Sequence, residues 1–180
     1  MKKAVILKKL YYSELQFKLA LAITTTCTSD AIALHYLGTF SYGKHVMDAK
    51  ELALTAEEER IASVILEHSA TYLMALQLDE ILEKLLSNRF EHGNNSIRNG
   101  SRIVRLIRNA YAHDPLSPMW LKIPASWKNQ ILKVDSIISL NTNGLEGKKL
   151  KRMDYGGPIS LLRLLQYFKQ VIDKEISDSK

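Results

Sequence analysis

The sequence predicts a mainly α, single-domain protein: an antiparallel helical bundle with a small β-hairpin-like insert before its last helix. Three observations carry that expectation. Apolar residues recur at helical spacing in four separate stretches. A capping box, Thr55 with Glu58, opens the longest of them. One stretch after Pro115, rich in β-branched residues and turn signals, interrupts the helical texture. The 180 residues suit one domain spanning 1–180, divided into a helical core over 4–114, an insert over 115–156 and a C-terminal helix over 157–177.

The first element runs from Ala4 to about Ile23, with Ile6, Leu7, Leu10, Tyr11, Leu15 and Leu19 forming an apolar stripe between lysines. The run Thr24 to Asp30 is rich in residues that prefer caps and turns, so a break is expected there. Ala31 to Leu37 reads as a short helix stopped by Gly38, and Tyr42 to His45 as a loop. The helix opened by Thr55 carries acids in its first turn, where the dipole favours them, and continues to about Asn88. After the turn Gly93-Asn94-Asn95, Ser96 is the expected cap of a helix that ends near Asp114, because the residue before a proline disfavours the α region. In the insert, Pro118 to Ile123 and Val134 to Leu140 read as short strands, with a turn at Asn143-Gly144 or Leu145-Glu146-Gly147. Pro158 is well placed at the start of a final helix reaching Ile176.

Composition narrows the function classes. The single cysteine, Cys27, forms no intramolecular disulfide, and no cysteine pair or histidine spacing suggests a metal site, so neither metal nor cofactor is expected. His35, His45, His68 and His92 are scattered and receive no role. The apolar run after Lys3 ends within four residues, too short for the core of a secretory signal, and no uncharged stretch of 18 residues suggests a membrane span. A reducing, cytoplasmic setting is the expectation. The net charge of +6 is a modest excess, but its distribution is uneven. Four arginines (Arg98, Arg102, Arg105, Arg108) and no acid lie between Ile97 and His113, and a second basic cluster follows at Lys148, Lys149, Lys151 and Arg152. Thr55 to Glu83 is acid-rich instead.

At about 100° per residue, Ile103, Leu106, Ile107, Ala110 and Tyr111 fall on one arc of the arginine helix. Arg98, Arg102, Arg105, Asn109 and His113 fall together on the opposite, solvent-facing arc, with Arg108 at the border. An arginine stripe is ordinarily a solvated face, but solvated faces alternate in sign, because like charges three or four residues apart repel. This stripe has no acids, so it calls for an anionic partner: either a bound polyanion or the acidic face of the helix after Thr55. His113, at the helix end, is the one group among these able to take and give a proton near neutral pH.

The run Arg108-Asn109-Ala110-Tyr111-Ala112-His113, arginine and a polar residue followed three positions later by histidine at a helix end, resembles the signature of the HEPN superfamily. The following Asp114-Pro115-Leu116-Ser117-Pro118-Met119-Trp120 resembles a subgroup named after a plasmid-encoded member. The resemblance covers about Ala4 to Trp120. It implies a metal-independent endoribonuclease in which two copies of the motif meet across a homodimer interface. His113 would then act on the 2′-hydroxyl or the leaving oxygen, Arg108 would stabilise the phosphate, and Asn109 would position groups by hydrogen bonding. Arg98, Arg102, Arg105, Lys148, Lys149, Lys151 and Arg152 would bind RNA. Such proteins serve as toxins, with an antitoxin protein as partner, or in defence against phage, while others have no demonstrated cutting activity. A non-catalytic RNA- or nucleotide-binding module stands as the alternative, and a structural interaction domain as a third reading.

Overall fold

The computed structural model describes residues 3–29 and 38–178. The short helix expected over Ala31 to Leu37 lies outside them. Among the described residues there are four long helices: α1 (Lys3–Thr28), α2 (Ala56–Leu85), α3 (Asn95–Ala112) and α4 (Gly157–Asp178). Two antiparallel hairpins accompany them: β1 (Thr39–Tyr42) with β2 (His45–Asp48), and β3 (Ile131–Val134) with β4 (Ile138–Asn141).

α1 passes through the threonine run instead of breaking there. The hydroxyls of Thr24, Thr25, Thr26 and Thr28 each donate to the carbonyl four residues back, so side chains that often compete with a helix are satisfied within it. Thr24 also donates to the Ser63 carbonyl at 2.7 Å, tying α1 to α2. The capping box at Thr55 is present as expected, both halves formed. Asn94 caps α3, not Ser96; its side-chain oxygen accepts from the amides of Ser96 and Ile97. The loop expected at Tyr42 to His45 is the tight turn of the first hairpin, with Gly43 at φ +60° in the left-handed position that glycine supplies.

The insert differs most from expectation. The second hairpin turns at Asp135-Ser136-Ile137, in the middle of the stretch read as one strand, and Asp135 takes φ +41° there. Asn143-Gly144 does turn the chain, but into a loop. Pro118 to Ile123 forms one bridge, Met119 with Lys149, and no longer strand. Leu132, Val134, Ile138 and Leu140 alternate inward along the hairpin and join the core.

The helices alternate in direction. Arg105 meets Asp79 while Pro115 meets His68, so α3 runs antiparallel to α2. Phe168 and Leu164 close on Gly100 while Tyr155 meets Tyr111, so α4 returns along α3. Lys169 of α4 reaches Glu14 of α1 at 2.7 Å. The core between them includes Phe17, Met74, Leu78, Leu82, Ile103, Ile107, Leu165 and Phe168, all 1% exposed or less. Among the described residues, α2 is the one helix that by length and apolar composition would suffice to cross a bilayer. Its buried Glu67 and Asp79, each paired with arginine, and its packing against α1 and α3 are those of a bundle's central helix.

Candidate functional site

The arginine strip of α3 is not uniformly open. Arg102, placed on the solvent arc by helical spacing, is 7% exposed. Its Nε and Nη2 donate to the Phe90 carbonyl, Nη2 also reaches Glu91 at 2.8 Å, and the guanidinium stacks 5.4 Å from the Trp127 ring centre. The loop after α2 and the turn holding Trp127 cover this half of the helix, and a helical wheel carries no information about either. Arg105 bonds both oxygens of Asp79, at 3.1 and 3.0 Å, and lies 3.6 Å from Glu83. Asp79 is itself buried and shared with Arg89, which is 4% exposed. Arg98 donates to the His92 carbonyl and to the Asn95 side chain. Of the two anionic partners open on sequence, the acidic helix after Thr55 therefore takes Arg105, and loop groups take Arg102 and Arg98.

Arg108 is different. It is half-buried, and among the described residues no carboxylate lies within ion-pair distance of it. Nη1 donates to Asn109 Oδ1 at 3.0 Å, while the buried Nε has no hydrogen-bond partner. A guanidinium that keeps its charge and most of its donors uncommitted is poised for an anion. His113 follows at the C-cap of α3, exposed, with φ −90° and ψ −39°. The structure thus keeps Arg108, Asn109 and His113 together on the last turn and a half of one helix.

A buried polar cluster backs that turn, built on His68, Glu67 and Tyr155, which have no assigned role in the sequence, together with Tyr111 and Arg152. His68 of α2 places Nδ1 3.0 Å from the Pro115 carbonyl oxygen, and its ring stands edge-on to Tyr111 at 5.5 Å. Tyr111 shares a hydrogen bond with Tyr155, and burial pushes its hydroxyl up to about 12. Burial raises Tyr155 as well. Glu67 is 1% exposed; Oε1 meets Arg152 Nε at 3.1 Å and Oε2 has no partner. Burial raises the Glu67 carboxyl, and the Arg152 charge opposes that only in part, as expected when one oxygen is left unbonded. Burial also lowers the His68 imidazole; the Pro115 bond works against this and Arg152 adds to it. The sequence signals that touch this cluster are Tyr111, inside the motif, and Arg152, read there as an RNA contact. Its contacts are remote in sequence: His68 meets a backbone carbonyl 47 residues away, and Glu67 meets Arg152.

The insert is docked against the same place. The Met119 amide donates to the Ala110 carbonyl of α3 at 3.1 Å, and the Leu150 amide to the Pro118 carbonyl. The second basic cluster is thereby brought beside the motif helix. Arg152 is spent on Glu67. Lys148, Lys149 and Lys151 are exposed, and among the described residues none forms an ion pair. Leu150 packs toward the core between Lys149 and Lys151, so the period of two of an extended chain sets these two lysines on the outer face.

Among the described residues no group of three or more histidines, cysteines or acids is arranged to hold a metal. No family model matches the chain, and neither the curated proteins nor the solved structures contain a match.

Proposed function

We propose that this chain is a HEPN-type, metal-independent endoribonuclease of the toxin or antiphage-defence kind, acting in the cytoplasm as a homodimer whose two motifs form one site. The observation that carries this reading is Arg108: alone among the four arginines of α3 it has, among the described residues, no bond outside its immediate neighbour, and it stands on the same helix end as Asn109 and His113. RNA supplies its own nucleophile, so a protein need only move protons and stabilise the phosphorane-like transition state. One His113 takes the proton from the 2′-hydroxyl as its oxygen attacks phosphorus. The 5′-oxygen leaves with a proton from the second subunit's His113, giving a 2′,3′-cyclic phosphate and a 5′-hydroxyl. Arg108 neutralises the charge gathering on the phosphate oxygens. Lys149 and Lys151 extend the cationic surface toward the flanking strand, and an antitoxin protein would cover the same face.

A second reading has its own support. A catalytic histidine is ordinarily oriented by a third group, and among the described residues His113 has no hydrogen-bond partner. A non-catalytic RNA- or nucleotide-binding domain, or a protein-interaction domain, would need none. Incubating wild-type protein and His113→Ala with mixed RNA in the presence of a chelator separates the two. The nuclease reading expects cyclic-phosphate products from the wild type and a loss of about 10²-fold or more in the variant, with RNA affinity little changed. Intact RNA with the wild-type dimer, or equal cleavage by both proteins, overturns it.

A further inference from the structure

We propose that His68 is a positioning residue of this site, donating from Nδ1–H to the Pro115 carbonyl oxygen and so fixing where α3 ends and His113 stands. The proposal deepens the ribonuclease reading and rests on it for the role of His113, though not for the placement of that residue.

The geometry is a bracket. His68 touches Tyr111, two residues before His113, through an edge-on ring contact with an interplanar angle of 69°. It touches Pro115, two residues after His113, through the 3.0 Å hydrogen bond. A carbonyl oxygen only accepts, so Nδ1 must carry the hydrogen, and the neutral ring then holds its lone pair on Nε2. Burial and the nearby Arg152 charge both disfavour a second proton, and Arg152 is in turn held by Glu67, the residue before His68.

The segment after His113 needs such an anchor. Proline donates no backbone hydrogen bond, and the Asp114 side chain closes only a local turn by accepting from the amides of Leu116 and Ser117. Among the described residues, the next ties beyond the segment are the Pro118 carbonyl, which accepts from the Leu150 amide at 2.9 Å, and the Met119 amide on Ala110. Between Tyr111 and Pro118, the His68 bond is the one hydrogen bond from a distant element among the described residues. A displacement of about 1 Å in a reacting group can cost on the order of 10²-fold in rate, so a rigid exit turn matters if His113 moves protons.

The test uses the full chain, uniformly isotope-labelled, and three substitutions. His68→Asn keeps an N–H close to the Nδ1 position, His68→Gln moves it toward Nε2, and His68→Ala removes it. NMR signals of the His113 ring and of the His113, Asp114, Leu116 and Ser117 amides should shift in His68→Ala and His68→Gln and return toward wild type in His68→Asn. RNA cleavage should fall by about tenfold to a hundredfold in the first two and recover in the third. Unshifted His113 signals in His68→Ala overturn the proposal whether or not the protein cuts RNA. So does an equal loss of melting temperature and activity in all three variants, which would mark His68 as packing only. A wild type that leaves RNA intact defeats the ribonuclease reading, and the His113 signals still decide the role of His68.

Discussion

Arg105 grips both carboxylate oxygens of Asp79, and the same carboxylate meets Arg89 Nη1 at 3.0 Å. One buried acid therefore holds two arginines from different segments, closing α2, α3 and the loop between them into a single electrostatic unit. The Phe90 ring lies beside both guanidiniums, 4.5 Å from Arg89 and 5.5 Å from Arg105.

Removing that acid leaves two like charges facing each other in a poorly solvated place. Asp79→Asn is expected to cost about 3–5 kcal/mol, the range for stripping one partner from a buried pair. Urea denaturation monitored by circular dichroism measures it; a cost under about 1 kcal/mol would mean that water enters and solvates Arg89.

The two arginines Arg105 and Arg108 should separate stability from function. Arg105→Met orphans part of Asp79 and is expected to lower stability by at least about 2 kcal/mol. Arg108→Met orphans no carboxylate and removes a buried, unbonded Nε, so stability should stay within about 1 kcal/mol of wild type or rise. RNA binding and cleavage should be lost in Arg108→Met alone. Thermal melts and a gel-based cleavage assay on the same preparations check both halves.

A methyl group at Gly100 would stand 2.8 Å from Phe168 Cζ and 3.2 Å from Leu164 Cδ1, and both side chains are fully buried. Gly100→Ala gains about 1 kcal/mol of helix propensity but must push α3 and α4 apart. A net loss of about 1–2 kcal/mol is expected from such overpacking. A stabilised variant would show that the ring swings aside freely.

Acid should loosen the junction of α1 and α4 before the rest. Burial alone would raise the Glu14 carboxyl, but hydrogen bonds from Lys169 and Lys18 outweigh it and hold the group at about 2, below its ordinary 4.5. A carboxyl lowered by folding contributes its stability above the unfolded value and loses it as pH falls toward the folded one. The contribution, on the order of 2 kcal/mol once the half-exposed Lys18 is discounted for screening, should therefore vanish between pH 4.5 and about 2. Glu14→Gln should be less stable at pH 7 and should lack this part of the acid limb. A stability–pH curve of unchanged shape in the variant would refute the assignment.

Lys149 and Lys151 can be tested apart from the chemistry. Lys149→Glu with Lys151→Glu should weaken binding of single-stranded RNA and flatten the dependence of log K on log salt by about 0.7 for each phosphate no longer neutralised. Cleavage of a dinucleotide too short to reach these lysines should be unaffected.

Much of this architecture is legible in the amino-acid order. The capping box at Thr55, the apolar arc of α3 and the Gly156-Gly157-Pro158 start of α4 are local signals, and each marks an element that is present. The failures share a cause. The Thr24 to Thr28 run looks like a break until its hydroxyls find carbonyls one turn back. Asn143-Gly144 is the stronger hairpin signal in general, yet the hairpin closes at Asp135, because only that register buries Leu132, Val134, Ile138 and Leu140 together. Arg102 lies on the wheel's outer arc and is covered by the loop at Phe90 and by Trp127. His68 is unreadable for the same reason: its meaning resides in a carbonyl 47 positions distant. Local chemistry wrote the helices, and tertiary contact decided which charges remain available.

The chain's two tryptophans, Trp120 and Trp127, both belong to the insert. Trp120 is 1% exposed and donates through its indole N–H to Asp154 at 2.7 Å, and Trp127 lies against Phe90 and Arg102. All intrinsic tryptophan emission therefore originates from the segment that buttresses the motif helix, whereas the far-ultraviolet dichroism comes mainly from α1 to α4. A fluorescence transition that precedes the dichroism transition on heating or on addition of urea would report this buttress peeling away from an otherwise intact bundle. The protein thus carries a built-in optical probe of the junction where the insert meets the motif helix.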